Sequence, residues 1–329
     1  MTARAPAGQI HGFLNLYKPV GMSSMEALRR VKRITGQRKK VGHAGTLDPL
    51  AEGVLPICFG QATRLMEQVV SGSKRYRMTV RLGAKSNTYD AEGDIEEIAS
   101  PASLTRSEIA STLVQFVGAI QQVPPMYSAI KKDGRRLYEL ARAGKVIERA
   151  PRPVMISAIQ IDRIDLPFLQ ITVDCGRGTY LRSIAHDLGE GLGVGAYVTE
   201  LTRLSCGQFN AENGVTLDDL EEAAERGDWN EHLQPVDWAL RCWQALRVTR
   251  EQAMAIKNGQ AIRIGNRCLA QDEEWRRAYS PDGVFLAMLQ FQRDVECWQP
   301  KKVFNSCGAS PYAPHASACE APGAREYGE

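Results

Sequence analysis

Few side chains in this 329-residue chain stand where their type and neighbours could do chemistry. The first is Asp48. It lies in Lys40 to Gly60, KVGHAGTLDPLAEGVLPICFG, a stretch with four glycines, one histidine and one aspartate ahead of a proline. Pro49 biases Asp48 away from helix toward extended backbone. The carboxylate is therefore expected on a rigid loop, where an ionised oxygen could serve as nucleophile or base. Gly42 and Gly45 bracket His43, which points to a tight backbone path. Taken alone, an Asp-Pro pair in such a loop starts a turn. Two further side chains invite attention. Tyr76 lies on the apolar face of an alternating segment, where its ring either lines a pocket or fills the core. Arg182 falls in the first turn of an expected helix, where a guanidinium opposes the macrodipole. It is either an ordinary surface arginine or the partner of a carboxylate or phosphate.

The elements that must position these groups are readable from spacing. Gly12 to Lys18 alternates and predicts a strand. Ser23, with Glu26 three residues on, predicts a capped helix carrying Leu28, Val31 and Ile34 and stopped by Gly36. Leu55 to Phe59 predicts a short buried segment, and Arg75 to Leu82 a half-buried strand. Thr105 or Ser107 is expected to cap a helix reaching about Val117, and Leu137 to Ala143 has helical spacing. Pro153 to Ile164 and Phe168 to Cys175 predict a hairpin. Thr179 is expected to cap the helix bearing Leu181, Ile184, Ala185 and Leu188. Further on, Thr216 to Asp219 opens a helix to about Arg226, and a linker is expected near residues 240 to 245. Leu246 to Val248 predicts a strand, then Thr249 and Gln252 box a helix closed by Asn258-Gly259. Short strands are expected at Ala261 to Ile264, Arg267 to Ala270, Val284 to Gln292 and near Val303. Mixed strands and helices of this kind predict an α+β fold.

Charge narrows the partner. The formal net charge is only +3. Yet Arg29 to Lys40 holds seven basic residues and no acidic one, and Lys131 to Arg152 holds eight against Asp133, Glu139 and Glu148. Such patches suit either a solvated helix face or a polyanion partner. Tyr127 and Tyr138, set among the second patch, suit base stacking beside phosphate contacts. Eight cysteines without a Cys-x-x-Cys pair read as reduced, mostly buried thiols of a reducing cytosol. Five scattered histidines offer no metal-site spacing. No apolar run is long enough to span a membrane, and the first residues do not form a secretory signal. Ser306 to Glu329 lacks Val, Ile, Leu, Met and Phe and is expected to be disordered.

GHAGTLDPLAEGVLPICFGQATR resembles the catalytic motif of the TruB family, the bacterial tRNA pseudouridine-55 synthases. Other blocks follow in family order: KPVGMSS, then KRYR with LGAKSNTYDAEGD. After these come QQVPPMYSAIKKDGRRLYELARAG and CGRGTYLRSIAHDLGEGLG, the last continuing into GAYVTELTRLSCGQF. Agreement of separated blocks across about residues 12 to 210 is far more specific than one short motif.

The resemblance implies a pseudouridine synthase fold, with a mixed, largely antiparallel central sheet flanked by helices and a small β-rich PUA-like C-terminal domain. It implies a disordered N-terminus at 1–10 and a catalytic domain at 11–240 with a thumb-like insertion near 124–152. A PUA-like RNA-binding domain at 245–305 and the tail at 306–329 complete the expected division. It implies isomerisation of uridine 55 in the T-arm of tRNA, with Asp48 catalytic and Arg182 its ion-pair partner. Tyr76 would stack on the flipped base, Tyr180 and Leu201 would shape the pocket, and His43 would hold the displaced RNA. No cofactor, metal, guide RNA or membrane is expected, and the protein is expected to be a cytoplasmic monomer. The alternatives are a synthase acting on another RNA and a non-catalytic tRNA-binding or tRNA-folding protein.

Overall fold

The computed structural model describes residues 10–128, 131–132, 135–137, 140, 147–264, 270–305 and 308–314. The chain begins with β1 (Gly12–Lys18), α1 (Ser24–Thr35), β2 (Val41–His43), β3 (Ala51–Phe59), α2 (Met66–Ser71) and β4 (Lys74–Leu82). Next come β5 (Ala84–Ser86), β6 (Ile95–Glu97), α3 (Arg106–Val114), β7 (Gly118–Gln122), β8 (Lys131–Lys132) and β9 (Arg135–Arg136). The hairpin β10 (Arg152–Asp165) and β11 (Phe168–Cys175) leads to α4 (Leu181–Gly191), β12 (Ala196–Cys206), β13 (Phe209–Asn210) and α5 (Leu217–Arg226). The last elements are β14 (Leu233–Gln234), β15 (Gln244–Arg247), α6 (Arg250–Lys257), β16 (Trp275–Tyr279), β17 (Phe285–Gln292) and β18 (Cys297–Val303).

The main sheet runs in the order β14-β1-β3-β12-β4-β11-β10-β7, with β2 added on β3 and β13 on β12. Its pairs are antiparallel except β12 with β3, which is parallel. Strand alternation sorts side chains to two faces. On β3, Leu55, Ile57 and Phe59 join a core with Leu28 and Val31 of α1 and Ile184 and Leu188 of α4. Val54 and Cys58, on the opposite face, join a second core that contains Phe13, Phe209, Leu240, Tyr279, Phe285 and Phe304. The C-terminal strands form a separate sheet, β15-β16-β17-β18.

The helix-start signals with local i, i+3 spacing are present as capping boxes at Ser23/Glu26, Thr105/Glu108, Thr216/Asp219 and Thr249/Gln252. Gly36 closes α1 in the left-handed conformation, at φ 69°. The expectation for Thr179 is corrected. Tyr180 occupies the cap position of α4 and makes no side-chain cap bond. Thr179 instead turns its hydroxyl back to donate to the Gly176 carbonyl. Helix α3 ends at Val114, short of Val117, which is exposed.

In the stretch expected to be a linker, 240 to 245, Arg241, Cys242 and Gln244 are exposed. Leu240 is fully buried and β15 starts at Gln244. The expected strand at 261–264 is reduced to one bridge, Ile262 to Trp298, whereas β16 arises where no strand was expected. The tail is also partly ordered. Ala309 bridges Val284, Ser310 donates to Asp237, and the Tyr312 ring meets Trp238 at 5.5 Å. A hydroxyl and one aromatic ring suffice to dock this segment without an aliphatic residue. Residues 1–9, most of the expected helix at 137–143 including Tyr138, most of the expected strand at 267–270, and 315–329 lie outside the described residues. Among the described residues, no helix is long and apolar enough to cross a membrane.

Candidate active site

Asp48 sits on the loop between β2 and β3, and the backbone of that loop is bonded nearly residue by residue. Ala44 N–H donates to the Pro56 carbonyl at 2.8 Å. The Gly45 and Thr46 carbonyls accept from Arg203 at 3.0 and 3.5 Å. At Leu47, N–H donates to the Ser24 hydroxyl (2.7 Å), and the carbonyl accepts from that same hydroxyl (2.9 Å). Gly21 N–H then donates to the Pro49 carbonyl at 2.9 Å, and Ala51 N–H to Asp48 itself. Gly21 and Ser24 belong to the KPVGMSS block, so that block does its work here by holding the loop. With its backbone groups satisfied from α1, β3 and β12, the loop has little freedom to move the carboxylate.

Helix α4 brings the counter-charge. Arg182, one residue into the helix after Leu181, has a side chain only 5% exposed, and its Nη2 lies 2.9 Å from Asp48 Oδ2. The same guanidinium reaches Asp90 Oδ2 at 3.1 Å through Nη1 and donates to the Thr88 and Tyr127 carbonyls. Asp90 is 2% exposed and also accepts from the Thr88 hydroxyl at 2.6 Å and the Glu92 amide. Arg182 thus stands between two carboxylates, one sealed and one open: the Asp48 side chain keeps 36% of its surface exposed.

Burial pushes the Asp48 carboxyl above its usual range; Arg182 and Lys18 pull it down, and Asp90 pushes it further up. Lys18 is fully buried at the end of β1, donates to the Pro19 and Met22 carbonyls, and is lowered by burial to about 8.

The remaining expected residues are distributed around this centre. Tyr76 is 8% exposed on β4, paired across the sheet with Arg203 and Val173. Burial raises its phenol above the ordinary value, so the ring is neutral at neutral pH. Leu201, 6% exposed, pairs with Ala51, three residues past Asp48, and with Met78. Half-buried Tyr180 has both backbone groups held by the Gln122 side chain, N–H to Oε1 at 2.8 Å and the carbonyl from Nε2 at 3.1 Å. His43 closes β2 opposite Ile57. Burial, and then the Arg203 charge, lower its imidazole, so it is neutral at neutral pH. Two surface grooves, of about 520 and 630 Å3, are lined by none of these residues.

Comparison with known proteins decides the family. Residues 32–181 match the model of the TruB family pseudouridylate synthase N-terminal domain, and 182–241 that of the tRNA pseudouridylate synthase B C-terminal domain. The chain is 45% identical over 261 residues to tRNA pseudouridine synthase B of Burkholderia lata, covering 79% of this chain and 80% of that one. It is 42% identical to the protein of the same name from Clostridium acetobutylicum, over 84% and 94% of the two chains. The chain belongs to the TruB family of pseudouridylate synthases. In fold it is also similar to the crystal structure of a Cbf5-Nop10-Gar1 complex, with a TM-score of 0.68 at 24% identity over 89% of this chain and 85% of that one.

As a TruB-family pocket, the site contains residues that sequence reasoning passed over. Asp90 lay inside the quoted block LGAKSNTYDAEGD, but nothing in its spacing shows that Tyr89, at φ 65°, turns the chain to aim it at Arg182. Ser24, Gln122 and Arg203 were likewise unremarked. Each acts on backbone far away in sequence, a relation that a window of local periodicity does not contain.

Proposed function

We propose that this TruB-family isomerase converts uridine to pseudouridine at position 55 in the T-arm of tRNA, with Asp48 as the catalytic carboxylate. The observation that carries the reading is the Asp48–Arg182–Asp90 cluster, in which the one open oxygen pair is fixed by a buried guanidinium.

The reaction breaks the bond from uracil N1 to the ribose, turns the base, and joins C5 to the same ribose carbon. The C5 proton leaves and N1 ends protonated, so the isomerisation neither gains nor loses electrons. The base must first leave its stack, as in other enzymes that act on a base. Two routes are open to a carboxylate: attack on the sugar carbon, or removal of a sugar proton. Both need Asp48 ionised. Arg182 favours that form against desolvation, while Asp90 and the Thr88 and Tyr127 carbonyls hold the guanidinium in place. The Tyr76 ring would stack on the extruded uracil. Tyr180 and Leu201 would bound the pocket, and neutral His43 would contact the displaced RNA without competing for its phosphates.

Arg33 in the last turn of α1, and Arg38, Lys39 and Lys40 between α1 and β2, are exposed ahead of the Asp48 loop. They would contact phosphates of the folded arm, giving grip and register rather than base identity. In this reading the C-terminal sheet is a second RNA-contacting unit, and the protein acts as a cytoplasmic monomer without a guide RNA.

Tritium release from uridine labelled at C5 tests the substrate. The reading predicts release from tRNA and from an isolated T-arm, and none from tRNA carrying cytidine at position 55. Release from ribosomal RNA alone, or undiminished release from the cytidine-55 tRNA, would assign a different target. Binding of tRNA without any release would favour a folding or carrier protein.

A further inference from the structure

Arg203 is a buried cation for which the reaction as described has no use. It lies in β12 at 1% exposure, among the largest fully buried side chains. Its guanidinium is spent on neutral groups: Nε donates to the Val54 carbonyl at 2.6 Å, Nη2 to Gly45 at 3.0 Å, and Nη1 reaches Thr46 at 3.5 Å. Tyr76 is its directly paired cross-strand neighbour on β4. Burying a charge on neutral partners alone is costly. An apolar side chain of similar length would fill the space at less expense, but it would lack donors for two elements at once.

The sheet is shaped to let this happen. In register, Lys18 of β1 pairs with Gly53 of β3, Gly53 with Arg203 of β12, and Arg203 with Tyr76 of β4. These four positions form one row across the sheet. Gly53 has φ +98°, and a Cβ there would stand 2.4 Å from the Arg203 carbonyl oxygen, so only glycine lets β12 approach this closely. Gly45 has φ +92°, and a Cβ there would stand 3.4 Å from Arg203 Nη1. The guanidinium is therefore held at the loop that leads to Asp48, three residues past Gly45, on a side chain paired across the sheet with Tyr76.

We propose that Arg203 is a positioning residue. It locks the Gly45–Thr46 backbone in register with Tyr76, so that Asp48 and the tyrosine ring face the same nucleotide at a fixed separation. The proposal rests on the Asp48 reading. Ser24 fixes the loop from the side of α1; Arg203 is the group that ties it to β4.

The test uses the full chain with Arg203→Met and Arg203→Lys, each alone and combined with Tyr76→Phe. Measured are single-turnover tritium release from tRNA, KM, the tRNA Kd in an Asp48→Asn background, and amide exchange of residues 42–50. For Arg203→Met the expected result is a fall in kcat on the order of 10²-fold, the scale of a misplacement of about 1 Å. KM and Kd should stay within about threefold, since the guanidinium does not touch RNA. Exchange in 42–50 should rise while the β10–β11 hairpin stays protected. Lysine should restore part of kcat, because it keeps the charge and some donors but not the fork. Adding Tyr76→Phe should cost less in the Arg203→Met background than in the wild type. A folded Arg203→Met with wild-type kcat overturns the proposal, as does strict additivity with Tyr76→Phe. If methionine prevents folding, Arg203→Lys and its combination with Tyr76→Phe decide by the same two criteria. Activity persisting in Asp48→Asn would sink the Asp48 reading separately, leaving the loop-exchange comparison as the judge of Arg203.

Discussion

In the proposed reaction Asp48 carries opposite demands. It must be open enough to reach a ribose and enclosed enough for its charge to matter. Burial and the neighbouring Asp90 raise its carboxyl above the ordinary value, and Arg182 and Lys18 oppose them. Activity that needs the ionised form should therefore fall, as pH drops, at a midpoint above the ordinary 3.8. Asp90→Asn removes a repelling charge and should move the acid limb of kcat downward. Arg182→Lys loses the fork that reaches Asp48 and Asp90 with separate nitrogens and should move it upward; a limb that ignores both changes would remove the cluster from the mechanism. The same shift has a sign for stability. A carboxyl raised on folding stabilises the native state in its protonated form, below the unfolded value, and that contribution is lost as pH rises through the folded one. At neutral pH the ionised Asp48 is thus a cost, and Asp48→Asn should melt no lower than wild type. Arg182 is the reverse case. Removing it strands Asp90 in the interior, a change on the order of 3–5 kcal/mol.

The elements around Asp48 act through backbone. Helix α1 places the Ser24 hydroxyl, 2% exposed with its residue, between the Leu47 N–H and carbonyl. Ser24→Ala leaves both without that partner and should cost about 1–3 kcal/mol. Thermal unfolding should show the loss, together with a lower kcat from a looser loop. An unchanged melting temperature would mean that the clamp contributes nothing. This element was half legible in sequence. The Ser23/Glu26 box and the Gly36 stop follow from spacing within one turn, whereas the link from Ser24 to Leu47 spans 23 residues and depends on how the helix lies over the loop. The same divide explains Thr179. A hydroxyl two residues before α4 looks like a cap, but the Gly176–Gly178 turn carries it back onto its own loop. The hairpin of β10 and β11 was readable because alternation and a Leu-Pro turn are local. Arg203 was not, because it depends on register between strands more than a hundred residues apart, and Asp90 was not, because it depends on the turn at Tyr89 and on where a distant helix places Arg182.

At the scale of the whole molecule, one hydrophobic core joins the back of the main sheet to the C-terminal strands. Phe13 and Phe209 meet at 5.6 Å, and Tyr279, Phe285 and Phe304 continue the cluster. Inside it, the Tyr279 hydroxyl donates to Asp237 at 2.5 Å and accepts from Arg277, and Ser310 donates to the same Asp237 oxygen. This buried network lies directly ahead of the stretch near residues 240 to 245 that the sequence marked as a linker. In the proposed function, a C-terminal sheet packed on this core would offer a folded RNA one surface rather than two tethered ones. Binding should then respond to salt as a phosphate-dominated contact does, with log Kd rising linearly against log salt. Lys39→Glu should weaken tRNA binding and flatten that slope by about one. A slope unchanged by the substitution would take the α1–β2 patch out of the RNA path.

The central claim concerns one carboxylate, and Asp48→Asn tests it most directly under single-turnover conditions with enzyme in excess over C5-tritiated tRNA. The account predicts no tritium release above background, with a tRNA Kd within about threefold of wild type. Release from the asparagine enzyme at the wild-type rate would contradict it.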